Sequence, residues 1–155
     1  MSIIARERNN RYRMGVDMKE ILDALEIAEK QYRAELVKMA KKVNLTVAEW
    51  TLLAVLADGF DTQDQLSTEM HLDNSTLSRQ LKSLLKKEMV ASEATNHDNR
   101  QLRYMLTDAG KTALDELDNQ KMAFNTRVFS VWSDEEKRMI EILLNRLEKS
   151  LTKSA

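Results

Sequence analysis

Arg79, Lys82 and Lys86 follow one another at steps of three and four residues, and Ser75 precedes Arg79 by one helical turn. At ~100° per residue these four gather on one side of a helix, opposite Leu77, Leu81 and Leu84. An arginine on such a face can make a bidentate contact to guanine, whereas Lys and Ser hold phosphates as readily as bases. Ser75 and Thr76 lie at the N-terminal end, where a helix of this kind meets base edges, and Ser78 lies on the flank. An ordinary amphipathic helix with a solvated basic face has the same spacing. The helix alone does not choose between them.

The next segment of chain shifts the balance. Met89 to Thr95 and Leu102 to Leu106 read as two short strands, the second alternating Leu102, Tyr104 and Leu106 with Arg103 and Met105. Between them, Asn96-His97-Asp98-Asn99-Arg100 is rich in residues that tolerate tight turns. A β-hairpin wing carrying Asp98 and Arg100 therefore comes directly after the basic helix. Such an order suits a protein that lays a helix in one DNA groove and a basic finger in the next.

The elements that must hold this segment are marked by their caps. Thr46 with Glu49 has capping-box spacing, and Leu45 with Trp50 forms a hydrophobic staple, so a helix starts there and runs to a stop at Gly59. Thr62 with Gln65 repeats the box and opens a short helix carrying Leu66 and Met70; Asp73 or Asn74 caps the next. Two short helices joined by about three residues form a helix-turn-helix. Thr107 caps a further helix. On either side lie long apolar stripes, Met18 to Val43 and Met139 to Leu151, which neither helix can cover by itself. Two such terminal helices suit an intertwined homodimer.

Composition sets the outer limits. The 155 residues include no proline, three glycines and 32% charged residues, which suits a helix-rich chain. The absence of cysteine excludes disulfides, thiolate metal sites and thiol redox sensing. No apolar run approaches the ~20 residues of a membrane span, and the start, MSIIARERNNRYRMG, is not that of a signal peptide. A cytoplasmic protein is the expectation. The net charge of −1 hides an uneven distribution: residues 43–70 have five acidic and no basic side chains, whereas residues 71–106 have six basic and four acidic. DNA-binding patches are local, so a neutral total does not exclude one. Arg6, Arg8, Arg11 and Arg13 fall in an N-terminal stretch without apolar periodicity, read as a solvated tail.

With the wing in place, the chain resembles the MarR family of winged-helix transcriptional regulators. The matching pieces are LTVAEWTLLAVL (45–56), STLSRQLKSLLKK (75–87), DNR (98–100) and LTDAGKTAL (106–114), in order and at fitting separations. The resemblance implies a mainly α fold with a small β-wing. A winged helix-turn-helix DNA-binding domain (44–111) is expected between helical dimerisation regions (16–43 and 112–155), with residues 1–15 as a flexible tail. It implies a homodimer reading a near-palindromic double-stranded operator, usually as a repressor, and often released by a small phenolic or lipophilic effector. Arg100 matches the family's minor-groove arginine, and Asp98 the aspartate that holds it in position. Ser75, Thr76, Ser78, Arg79 and Lys82 match recognition-helix positions, and Lys86 extends their basic face.

Two residues depart from the family pattern. Glu88 stands where a glycine is common, and Ser92 where an arginine often begins the wing. A left-handed conformation would cost Glu88 roughly 1 kcal/mol, so the recognition helix is expected to end differently.

Other chemistries find little support. Neither His71 nor His97 has a partner motif for catalysis or metal binding, so no enzyme activity, metal or cofactor is expected. Asp134-Glu135-Glu136 after Ser133 is read as helix N-terminal charge. Tyr12, Tyr32, Met39, Trp50 and Phe60 are weak candidates for an effector pocket, since helical core spacing already explains most of them. The alternative to a DNA-binding regulator is a winged-helix scaffold for protein–protein contact.

Overall fold

The computed structural model describes residues 18–95 and 101–154. Among these residues six helices and one hairpin come in this order: α1 (Ile21–Lys42), α2 (Val47–Ala57), α3 (Gln63–Met70), α4 (Asn74–Lys86), β1 (Val90–Ala94), β2 (Leu102–Leu106), α5 (Asp108–Val128) and α6 (Asp134–Lys153). The expected fold class, mainly helical with a small β-wing, is the one observed. Helix α1 begins later than its apolar stripe suggests. Met18 to Glu20 are not helical, and Glu20 is an N-cap with extended backbone (ψ 150°).

Local chemistry sets most boundaries. Thr46, Thr62 and Ser133 each accept a bond from the backbone N–H three residues on, and Glu49, Gln65 and Glu136 reach back to complete capping boxes. Asp73 caps α4 and Thr107 caps α5 through single side-chain acceptors.

Three helices then end in the same way. Asn44, His71 and Glu88 take left-handed backbone conformations at φ 60°, 51° and 58°. After each, the next residue's N–H reaches back to the carbonyl five residues earlier: Leu45 to Ala40, Leu72 to Ser67 and Met89 to Leu84. Glu88 thus corrects the expectation that its helix ends differently. The turn is secured by Glu88 N–H to the Leu85 carbonyl, Met89 N–H to Leu84, and the Thr107 hydroxyl donating to the Glu88 carbonyl at 2.6 Å. These bonds outweigh a strain of about 1 kcal/mol.

The core lies where α2, α3 and α4 meet, closed by the hairpin and one side of α5. Leu52, Leu53, Leu66, Leu77, Leu84 and Leu117 are completely buried, with Leu81, Val90 and Tyr104 nearly so. Strands β1 and β2 pair antiparallel in the register Val90–Leu106, Ser92–Tyr104 and Ala94–Leu102. The loop before α3 adds a short third edge: Thr62 bridges to Arg103, and Tyr104 N–H donates to the Asp61 carbonyl at 2.8 Å. Gly110 permits the closest approach in this region, since a Cβ there would lie 2.2 Å from the Met89 carbonyl oxygen.

The terminal helices are different. Only Met39 and Ala40 are buried in α1, and no residue of α6 is buried. Ile21, Leu22, Met139, Ile142, Leu143 and Leu151 all stand exposed.

Candidate nucleic-acid interface

Leu77, Leu81 and Leu84 seat α4 on the core, which leaves the opposite face turned outward. Ser75, Arg79, Lys82 and Lys86 are all exposed on that face. None of the three cations pairs with an acid among the described residues. Arg79 and Lys86 lie about 10 Å apart along the axis, at ~1.5 Å rise per residue. Three unpaired cations on one face form a local positive patch on a chain whose net charge is −1.

The start of α4 is organised by Asp73. Its carboxylate accepts from Ser75 Oγ at 2.6 Å, from Thr76 N–H at 2.8 Å and from Thr76 Oγ1 at 2.8 Å. The bond from Ser75 and the two from Thr76 hold the carboxyl ionised far below the usual carboxylate range. Ser78, on the flank, accepts from Gln63 Nε2 at 2.8 Å, so the first helix of the pair is tied to the second.

The far end of α4 is fixed by a buried network that has no local signature in the sequence. Glu49, 4% exposed, accepts from Ser83 Oγ at 2.6 Å and Lys87 Nζ at 2.8 Å, besides the Thr46 N–H of its own capping box. Lys87 also donates to the Asn44 carbonyl at 2.7 Å. Burial alone would raise the Glu49 pKa. The bonds from Lys87, Ser83 and Thr46, with the Lys87 charge, outweigh burial and hold it below the ordinary value. Glu49 and Lys87 together therefore join the end of α1, the start of α2 and the last turn of α4.

The wing is anchored at its base. Arg103 pairs with Asp61 at 3.5 Å beside the Thr62 bridge, an exposed contact that orients more than it stabilises. Between this base and α4 runs a groove lined by Thr62, Gln63, Asp64, Asn74, Gln101, Leu102 and Tyr104. Asp98 and Arg100 lie outside the described residues, as does Tyr12.

The remaining effector candidates are dispersed, and none lines this groove. Met39 is buried in the core, with Trp50 and Phe60 half-buried against it. Tyr32 is exposed on α1 and stacks on Phe124 of α5, ring centres 6.1 Å apart. His71 serves as the left-handed end of α3. No group of three or more metal-ligating side chains occurs among the described residues. No helix among them is long and apolar enough to cross a membrane.

Comparison with known proteins agrees with this geometry. A sequence model of the MarR family matches residues 43–101. The HTH-type transcriptional regulator PecS of Dickeya dadantii (strain 3937) is 26% identical over 153 residues, covering 96% of this chain and 92% of PecS. YxaD of Bacillus subtilis (strain 168), also described as an HTH-type transcriptional regulator, is 31% identical over 108 residues, covering 69% of this chain and 76% of YxaD. Among solved structures, MepR, a transcription regulator of a Staphylococcus aureus multidrug efflux pump, superposes with a TM-score of 0.74 at 15% identity, covering 86% of this chain and 99% of MepR. Wild-type MarR of E. coli gives 0.69 at 16%, covering 85% and 98%. Those two likenesses speak for the fold, while the sequence matches carry the family. The chain belongs to the MarR family of transcriptional regulators, and not to a family of enzymes.

Proposed function

We propose that this protein is a dimeric, sequence-specific DNA-binding regulator, most simply a cytoplasmic repressor of a near-palindromic operator. The observation behind this reading is the outward face of α4, where Arg79, Lys82 and Lys86 stand unpaired on a helix whose other face is locked into the core. In this reading α4 enters the major groove, Arg79 reads a base edge, and Lys82 and Lys86 hold phosphates. The turn at 96–100 reaches the adjacent minor groove, with Arg100 inserted and Asp98 holding it. Residues 44–111 form the DNA-binding domain; 16–43 and 112–155 form the dimer. A related fold, that of S. aureus MepR, has been solved bound to DNA, which supports the docking mode (TM-score 0.65, 16% identity, covering 85% of this chain and 96% of MepR).

The exposed apolar faces of α1 and α6 support dimerisation, because a monomer rarely leaves so many large apolar side chains in water. A small phenolic or lipophilic effector would act where these helices meet the DNA-binding domain. Its expected signature is release of a bound duplex without dissociation of the dimer.

A titration on the DNA upstream of the protein's own gene tests the reading. Protection of a palindromic segment is expected, with affinity falling steeply between low and moderate salt as phosphate counterions are released. Arg100→Ala should weaken binding roughly tenfold while the dimer stays intact. Indifference to sequence, or no binding at low salt, would reject the reading. A co-purifying protein in its place would favour the scaffold alternative.

A further inference from the structure

The three hydroxyls at the start of α4, those of exposed Ser75 and Ser78 and of half-buried Thr76, differ in what they can offer a base. A hydroxyl has one proton to give and two lone pairs to accept with. An ionised carboxylate can only accept, so the contacts of Ser75 Oγ and Thr76 Oγ1 with Asp73, at 2.6 and 2.8 Å, both engage the hydroxyl proton. Only lone pairs remain to face outward. Ser78 is the reverse case. The Gln63 amide group nearest Ser78 Oγ, at 2.8 Å, also lies 3.5 Å from the Asn74 carbonyl. A carbonyl cannot donate, so the group facing both is the NH2, and Ser78 accepts from it. Ser78 keeps its proton for something else, and no described residue takes it.

We propose that Asp73 and Gln63 set the hydrogen-bond polarity of the recognition helix, making Ser75 and Thr76 acceptors and Ser78 a donor toward DNA. The inference rests on the DNA-binding reading above. In the major groove the donors are the exocyclic amines of adenine and cytosine; guanine and thymine offer O6, N7 and O4, which only accept. Ser75 and Thr76 thus select for adenine N6 or cytosine N4. Phosphate oxygens only accept as well, so these two hydroxyls are read-out groups and not backbone clamps. The Asp73 charge beside them also repels phosphate. Ser78 serves a phosphate, guanine or thymine. Asp73 and Gln63 are positioning residues in this scheme, acting through the hydroxyls they orient.

The test starts from a randomised duplex pool selected by the wild-type protein and sequenced. An adenine or cytosine is expected at a fixed place in each half-site. Removing its amine, with purine in place of adenine or 2-pyrimidinone in place of cytosine, should lower wild-type affinity roughly five- to tenfold. A Ser75→Ala/Thr76→Val variant should show no further loss on the amine-free duplex. Asp73→Asn keeps an N-cap acceptor and hence the helix, which circular dichroism checks. Its amide can give a proton to one hydroxyl and so release that hydroxyl's own proton outward. The bases it selects there should move toward guanine or thymine, with the rest of the motif unchanged. Gln63→Glu should engage the Ser78 proton and weaken binding in a way that Ser78→Ala does not add to. Wild-type indifference to the amine, or an Asp73→Asn motif identical to wild type, would overturn the inference while leaving DNA binding standing. A pool with no enrichment at all would remove both.

Discussion

The winged helix-turn-helix and the terminal helices handle apolar surface in opposite ways. In residues 45–106 the leucines of α2, α3 and α4 interlock until Leu52, Leu53, Leu66, Leu77 and Leu84 are shut off from water, and the buried Glu49 carboxylate is fully engaged. In α6 no residue is buried, although Ile142, Leu143, Leu144 and Leu151 are as apolar as any core residue. The first region is complete within one chain. The second has the composition of an interior and the exposure of a surface, so under the proposed function its partner is another copy of the same helix pair. On that proposal, specificity for DNA and specificity for the partner would be written in separate stretches.

That separation can be attacked directly. The largest effect is expected at the terminal face: Leu143→Lys places a charge where a dimer would bury it and should raise the dimer dissociation constant roughly a hundredfold. Sedimentation would read monomers with unchanged far-ultraviolet dichroism. A dimer that survives breaks the comparison. Within the closed region, Leu77→Ala should cost about 2–5 kcal/mol of stability, since a completely buried leucine leaves a cavity. Denaturant titration would show this, and a loss below about 1 kcal/mol would mean that α4 is loosely seated.

A smaller effect is expected at the buried carboxylate. Glu49 has a lowered pKa in the folded state, so its stabilisation is present above the unfolded value near 4.5 and is lost as pH falls through the folded one. Glu49→Gln should therefore be less stable than wild type by about 1–3 kcal/mol at neutral pH. The gap should close on acidification below the ordinary carboxylate range. A gap independent of pH would show that Lys87 gains nothing from the charge. The smallest change is Glu88→Gly, which relieves a left-handed glutamate but frees the unfolded chain, and should shift stability by no more than about 1 kcal/mol. A loss beyond that would mean the glutamate side chain makes a contribution of its own.

Features decided within a few residues of chain were legible in the sequence. The boxes at Thr46 and Thr62, the Thr107 cap and the choice between Asp73 and Asn74 before α4 need only a neighbour a few positions away, whereas the Ser133 box lies hidden in a stretch that reads only as helix N-terminal charge. The leucine stripe of α4 needs only the helical period. The illegible part depends on which distant residues meet. Glu49 is 34 residues from Ser83 and 38 from Lys87, and nothing near any of them names the others. Gln63 finds Ser78, and Asp61 finds Arg103, only after the helices have packed. Glu88 shows the limit of a propensity argument: glutamate does disfavour the left-handed region, and the bonds from Met89 and Thr107 override that preference. Among the effector candidates, Met39 is core, as its helical spacing suggests. Trp50 and Phe60 pack against that core, which explains their apolar character equally well.

The contact at Gly110 has a mechanical consequence. The Met89 carbonyl accepts from Thr107 N–H at 3.1 Å and lies where any side chain on Gly110 would have to go. The Glu88 carbonyl is held by the Thr107 hydroxyl. The residue that launches the wing and the first turn of α5 are therefore a single joint, with no slack between them. A rotation of α5, whose far end runs into the terminal helices, turns the root of the wing with it, much as a key turns its bolt.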